Sequence, residues 1–363
     1  MNKKIITSLS IFGLLLAALV VGGLIATKST QQNTISSEQT TAESLSQAAA
    51  FYDGKVIKWI IPYSPGGGYD EYVRLISPYM EEFTGARIDV INLPGAGGMR
   101  GVNELYTSPN NGLVIGIMNG SALIANELSG IKGAEYKLDG FEYLGRIIAD
   151  PRILVLTDKS EIKTFEEFLD PQNPIKLGAT GLGGSTYVDA VISKEAFNLD
   201  VEIIHGFGSS PVIRQSMLRG NIAGTWASWG SAEDGVDQGL EFPVLQTGRD
   251  RIPDLPDVPT VWEYVDRTDN PDLTLAILTA WAALIEVGRS VAAPPGTAAE
   301  RILFLREAFY ESLHNPNLLA SAEQAGRPFD YATGEEMKKI TLDATQMPPD
   351  IEELFIKAIN GQL

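Results

Sequence analysis

Apolar positions along the chain fall into two kinds of run. "VIKWIIP", Val56 to Pro62, is short and almost continuous, as expected of a strand buried on both faces. Tyr72, Val73, Ile76, Tyr79, Met80 and Phe83 then recur at helical spacing. "ARIDVINLP" and "GLVIGIMNG" predict two more strands, and "RILVLT", "IKLGATG", "VEIIHGF", "AGTWASW" and "PVLQTG" continue the series. "TFEEFLD", "STYVDAVISKEAFN" and "SPVIRQSMLRG" predict helices between several of them. From Ala298 onward the pattern is mostly helical. Strands alternating with helices predict an α/β protein with mainly parallel sheets. No internal repeat of fixed period is visible.

The first residues follow another pattern. Lys3 and Lys4 precede Ile5 to Ala26, 22 residues without a charge. A secretory apolar region is usually about 7–15 residues and a membrane-spanning helix needs about 20. Residues 1–26 are therefore expected to be a signal peptide or an N-terminal membrane anchor, with the rest of the chain exported to the periplasm or the outer face of the cytoplasmic membrane. No cysteine is available for a lipid anchor. Residues 27–53 are rich in Ser, Thr and Gln over most of their length and are expected to form a flexible tether.

Composition removes several functions. Without cysteine there is no disulfide, no thiolate metal site and no thiol nucleophile. The two histidines, His205 and His314, lie far apart, so neither a metal site nor a Ser-His-Asp triad is expected. The net charge of −18 argues against nucleic acid, which needs a basic surface. It also raises a difficulty for any anionic ligand, which must be attracted locally against the overall field.

The loops between strands and helices offer an answer. "IPYSPGGGYDEYVR" places Tyr63, Ser64, Pro65, Gly66, Gly67, Gly68, Tyr69 and Asp70 between the first strand and the first helix. Ligands of open α/β sheets bind beyond the C-terminal ends of strands. Glycines there let a ligand approach the main chain, and the first turn of a helix carries unpaired N–H donors at its positive end. Asp70 either bonds a ligand or orients the loop. "NLPGAGGMRG" repeats the arrangement with Asn92, Gly95, Ala96, Gly97 and Gly98, "GATGLGGST" with Thr180, Gly183, Gly184, Ser185 and Thr186, and "GFGSSP" with Phe207, Gly208 and Ser209. Asn119 and Ser121 end another strand. The expectation is one converging anion site, with a carboxylate held by the main-chain N–H groups of residues 66–69 and 95–98 and no lysine or arginine in contact. Phosphate motifs fit poorly: no loop ends in Lys-Ser/Thr, and "GAGGMRG" misses the dinucleotide spacing by one residue.

Other residues stay open between two roles. Trp226 and Trp229 are core residues or a pocket wall, with Trp229 taken into the ligand-binding set. Arg152 pairs with a ligand or with Asp150 or another acid. His205 reads as structural. A hydrolase using the loops as oxyanion donors lacks a G-x-S-x-G elbow and almost all histidine, so no catalytic residue, cofactor or metal is expected.

The opening loop resembles the P-x-G-G-x-x-D-x-x-x-R loop of the Bug-type receptors of tripartite tricarboxylate transporters. "NLPGAGGMRG" is similar to their N-x-P-G-A-G-G-x-x-G loop. "TGLGGST", "HGFGSSPVIRQSMLRGNI", "RIPDLPDVPTVWE" and "GRSVAAPPGTAAERILFLREAF" resemble later segments of the same family in the same order. The resemblance covers nearly everything after residue 54. Departures are Ser290 and Ala298 in place of prolines, and Tyr187 and Val188 where many members carry a histidine. The resemblance implies a two-lobed, type II periplasmic-binding-protein fold that closes on its ligand, with one lobe from residues 54–154 and 277–363 and the other from 155–276. It implies a small organic di- or tricarboxylate as ligand, integral membrane transporter subunits as partners and a monomeric receptor. A sensing subunit for a membrane kinase would have the same binding lobes.

Overall fold

The computed structural model describes residue 43, residues 45–169 and residues 174–362. The chain divides into two compact units, Met1–Phe51 and Tyr52–Leu363. In the first, residues 45–51 are helical, although they fall within the expected tether. Three consecutive alanines there favour that conformation. The apolar segment Ile5 to Ala26 lies outside the described residues. Among the described residues no helix is long and apolar enough to cross a membrane.

The second unit is built on two sheets. In the first, β1 (Val56–Ile61) pairs in parallel with β2 (Arg87–Asn92) on one side and β3 (Val114–Asn119) on the other. The antiparallel strands β10 (Arg289–Ala293), β4 (Glu142–Arg146) and β11 (Ala332–Thr333) extend it. The second sheet has the same plan. Its core is β6 (Ile175–Ala179), parallel to β7 (Val201–His205) and β8 (Gly224–Ser228). Antiparallel β5 (Arg152–Thr157) and β9 (Glu241–Gln246) complete it. This is the two-lobed α/β fold, with a parallel core in each sheet. Strands β1, β3, β5, β6 and β8 are largely buried, which is why their sequences read as continuous apolar runs.

The chain passes between the sheets twice. It leaves after β4 through residues 147–151 and enters the second sheet at β5. It returns after β9 along α8 (Pro271–Glu286) and enters the first sheet again at β10. The expected division at 276/277 falls inside α8, and that at 154/155 falls inside β5. Helix α8 packs against α3 (Gly120–Ser129) of the first lobe and α5 (Ser185–Phe197) of the second. Trp281 on α8 meets Trp226 of β8 edge to face at 5.1 Å, with both rings fully buried. Trp226 also donates from Nε1 to Ser193 Oγ at 3.0 Å, so it is a core residue and not a pocket wall. Four helices close the chain: α9 (Ala299–Leu313), α10 (Pro316–Gln324), α11 (Gly334–Ala344) and α12 (Pro349–Ile359).

Candidate functional site

Besides α3, which Asn119 caps, four helices begin at one cavity. They are α1 (Gly68–Thr84) after β1, α5 after β6, α6 (Ser210–Leu218) after β7, and α7 (Trp229–Asp237) after β8. Their N-caps are Gly67, Gly184, Ser209 and Ser228, and none makes a side-chain capping bond. Each strand delivers its chain to the same edge of its sheet, so the turns converge where the two lobes meet. The cavity wall is Tyr63, Gly67, Gly68, Tyr69 and Asn119 from the first lobe, with Arg152, Thr180, Ser185, Thr186, Ser209, Ser210, Ser228 and Ser231 from the second. Its volume is about 40 Å³ as swept by water centres. At roughly 10–15 Å³ for one water, that is room for about three. Among the described residues no carboxylate lines it, although the chain carries 46 aspartates and glutamates.

Asp70 organises the first loop from behind. Its carboxylate accepts from Gly66 N–H at 3.0 Å, Arg74 Nε at 2.8 Å and Asn92 Nδ2 at 3.0 Å. Asn92 also donates to the carbonyl of Tyr63 at 3.0 Å. Burial pushes the Asp70 carboxyl up, but these donors together pull it below its ordinary value. Neither Asp70 nor Asn92 is on the cavity wall, and both serve to orient the loop. Gly66 spends its N–H on Asp70, and Pro65 is exposed in the turn.

The second glycine loop is not on the wall either. Gly95 and Ala96 are exposed, Gly98 sits beneath the Tyr63 ring, and the Gly97 carbonyl accepts from the Tyr63 hydroxyl at 3.3 Å. Gly97, at φ +66°, lies against the third loop. A Cβ there would stand 2.6 Å from Gly184 N and 2.8 Å from the Leu182 carbonyl oxygen. Two backbones from different lobes touch at this point, and only glycine permits it. Gly67 differs, because a Cβ built on it meets nothing within 4 Å.

Side chains tie the lobes together over the cavity. Asn119 Nδ2 donates to Ser185 Oγ at 2.8 Å and to Tyr63 Oη at 3.0 Å, while its Oδ1 accepts from Ser121 Oγ and caps α3 at Ala122 N–H. Burial raises the Tyr63 hydroxyl to about 12, so it stays a neutral donor. Ser64 Oγ reaches the Gly208 carbonyl at 3.5 Å. Phe207 packs with the second lobe's apolar cluster, and Gly183 lies in the buried turn before α5. Trp229 is off the wall, packing in that same cluster and donating to Asp254 at 3.3 Å. His205 is exposed at the end of β7, edge-on to Tyr187.

The wall includes one arginine, the residue that the sequence left open between a ligand and an acid. Arg152 is fully buried, donating from Nε to Asp189 at 2.6 Å and from Nη1 to Asp150 at 3.3 Å. Burial opposes its charge, but the two aspartates outweigh that and raise its pKa. Burial pushes Asp189 up in turn, against the pull of Arg152 and the Trp281 N–H at 2.9 Å. Sequence reasoning also missed Ser210, Ser228 and Ser231. Ser228 ends β8 and Ser231 follows it without a glycine-rich turn, the signal used elsewhere.

A family model described as the tripartite tricarboxylate transporter family receptor matches residues 73–354. The chain belongs to that receptor family. It is a periplasmic solute-binding receptor. A protein of Pseudomonas sp. (strain P51), "UPF0065 protein in tcbD-tcbE intergenic region", is 26% identical over 293 residues, which are 79% of this chain and 82% of that one. The periplasmic binding protein BugD has a similar fold, with TM-score 0.70 and 20% identity over 85% of this chain and 98% of that one. MatC from Rhodopseudomonas palustris, solved with bound malate, has TM-score 0.68 and 17% identity over 83% of this chain and 99% of that one.

Two variants separate the roles of these residues. Asp70→Asn should cost about 2–4 kcal/mol in chemical denaturation near neutral pH, since it breaks a buried, charge-assisted network. The native carboxyl titrates below its unfolded value of about 3.9, so its contribution is complete above that pH and drains as the pH falls through the lower folded value. The gap between variant and parent should therefore narrow in acid; a constant gap would assign the cost to shape alone. Gly97→Val should keep the lobes from meeting. Small-angle scattering should show an enlarged radius of gyration with the unfolding midpoint little changed, and an unchanged radius would show that the second loop is not a lobe contact.

Proposed function

We propose that this receptor captures a small organic di- or tricarboxylate between its lobes and presents it to integral membrane transporter subunits. One observation carries the reading. Four helix N-termini without side-chain caps converge on a cavity that, among the described residues, is lined by an arginine and no acid. Each such terminus offers unpaired N–H groups and the positive end of a helix dipole, favouring an anion by roughly 0.3–1 kcal/mol, up to about 2 where partly buried. Charge-assisted hydrogen bonds add about 1.5–3 kcal/mol each. Micromolar affinity needs about −8 kcal/mol, which a few such bonds supply after ordering costs. Distant surface carboxylates are screened over about 8–10 Å in physiological salt, so the chain's negative charge does not prevent it.

The serine- and threonine-rich wall favours a molecule bearing hydroxyl or carboxylate oxygens, and because the space as it stands holds about three waters, the lobes must part to admit one. The malate bound by MatC is of that class. A melting-temperature screen of mono-, di- and tricarboxylates, inorganic phosphate, sulfonates and neutral sugars tests the proposal. At about a hundred times its Kd a ligand adds about 2.7 kcal/mol of stability. At least one small carboxylate should therefore raise the midpoint by several degrees. A screen in which phosphate or a sugar does so and no carboxylate does would overturn it.

A further inference from the structure

Behind the cavity wall lies a second buried arginine. Arg289 opens β10 and is 1% exposed. It stands opposite Asn119 in the antiparallel pairing of β10 with β3. Residues opposite one another leave a sheet on the same face. The Asn119 side chain lines the cavity, and the Arg289 side chain leaves the sheet toward it as well. Its guanidinium is held between the rings of Tyr69 and Tyr72, at 4.6 and 4.8 Å from their centroids. Nη2 donates to Asp150 Oδ1 at 3.1 Å and to Ser228 Oγ at 2.7 Å, and Nε lies 3.3 Å from the same Asp150 oxygen. Nη1, fully buried, has no acceptor among the described residues.

We propose that Arg289 is a ligand-recognition residue, its Nη1–H groups donating to an anionic oxygen of the bound molecule at the seam between Gly68 and Ser231. The inference rests on the carboxylate reading above. A Cβ built on Gly68 would stand 2.8 Å from Nη1 and 2.9 Å from Ser231 Oγ, and both residues are on the cavity wall. Gly68 does not use a positive φ. Its missing side chain is therefore what opens the seam. A buried charged donor without a partner is costly and marks the place of an absent ligand or water. The compensating charge is also divided. Asp150 accepts from Arg289, Arg152 and, at 3.5 Å, Tyr69, while Arg152 has Asp189 as a second partner. An incoming carboxylate completes the set around Arg289. Gly68 and Arg289 belong to the first lobe and Ser228 and Ser231 to the second, so the ligand's oxygen would bridge the lobes at this seam.

Calorimetric titration of the full chain with malate and with its uncharged diamide tests this. The unmodified chain should prefer malate by a hundredfold or more. Arg289→Gln, which keeps polar donors but not the charge, should lower that preference at least tenfold, and Arg289→Lys should restore part of it. Gly68→Ala, a substitution suited to a helix start, should close the seam and lower the preference similarly with its melting temperature kept; it decides the matter if Arg289→Gln does not fold. A charge preference retained in Gly68→Ala, and in Arg289→Gln where that variant folds, would overturn this inference alone. If the chain prefers another carboxylate, the same titration is read with that acid and its amide. Binding of no carboxylate at all would overturn the receptor reading with it.

Discussion

Four buried charges hold the two lobes in register. Arg289 from the first sheet, Asp150 in the crossover, Arg152 from the second sheet and Asp189 on α5 form one chain of ion pairs, continued by the Trp281 N–H on α8. Removing one partner from such a set costs about 3–5 kcal/mol, because it strands a charge in the interior. All members are 7% exposed or less, and together they touch both passages of the chain between the lobes. The site depends on this chain. Tyr69 reaches Asp150, Arg152 is on the cavity wall, and Arg289 holds Ser228 at the start of α7.

Around that set the fold repeats one device. A strand ends, the chain turns, and a helix begins with N–H groups of its first turn unspent, although Trp229 at the start of α7 donates to the Pro151 carbonyl and Pro211 in α6 has no N–H to offer. Once in the first lobe and three times in the second, the turn opens on the same small volume. An acid-rich chain can thereby present a positive field in one place, built from main-chain dipoles and a few buried guanidinium groups. The acids near the site are turned away from it: Asp70 spends its charge on Gly66, Arg74 and Asn92, and Asp150 and Asp189 spend theirs on arginines.

Much of this was legible in the sequence. Alternating strands and helices gave the fold class, and glycines between them marked the first, third and fourth loops as wall. Sequence could not distinguish a glycine that admits a ligand from one that admits another backbone. Gly97 belongs to the second kind, and only the packing of the third loop against it reveals that. Strands β4 and β10 escaped notice because they are short, carry charges and pair antiparallel with strands distant in sequence. Arg289 stands alone in the apolar run "VGRSVAAP", a position whose charge is tolerable only beside a partner that sequence does not name. Ser228 ends β8 and Ser231 follows it without the glycine-rich turn that marked the other loops. Helix α8 reads as apolar on most sides because it is pressed between elements of both lobes.

The central claim is that ligand binds where the four helix starts meet. Hydrogen exchange read by mass spectrometry, with and without a saturating carboxylate, tests it most directly. The account predicts slowed exchange in residues 63–70, 180–187, 206–212 and 226–232 together, from both lobes at once. Slowing confined to one lobe, or centred instead on the open groove around Lys159 and Lys176 at the far side of the second sheet, would contradict it.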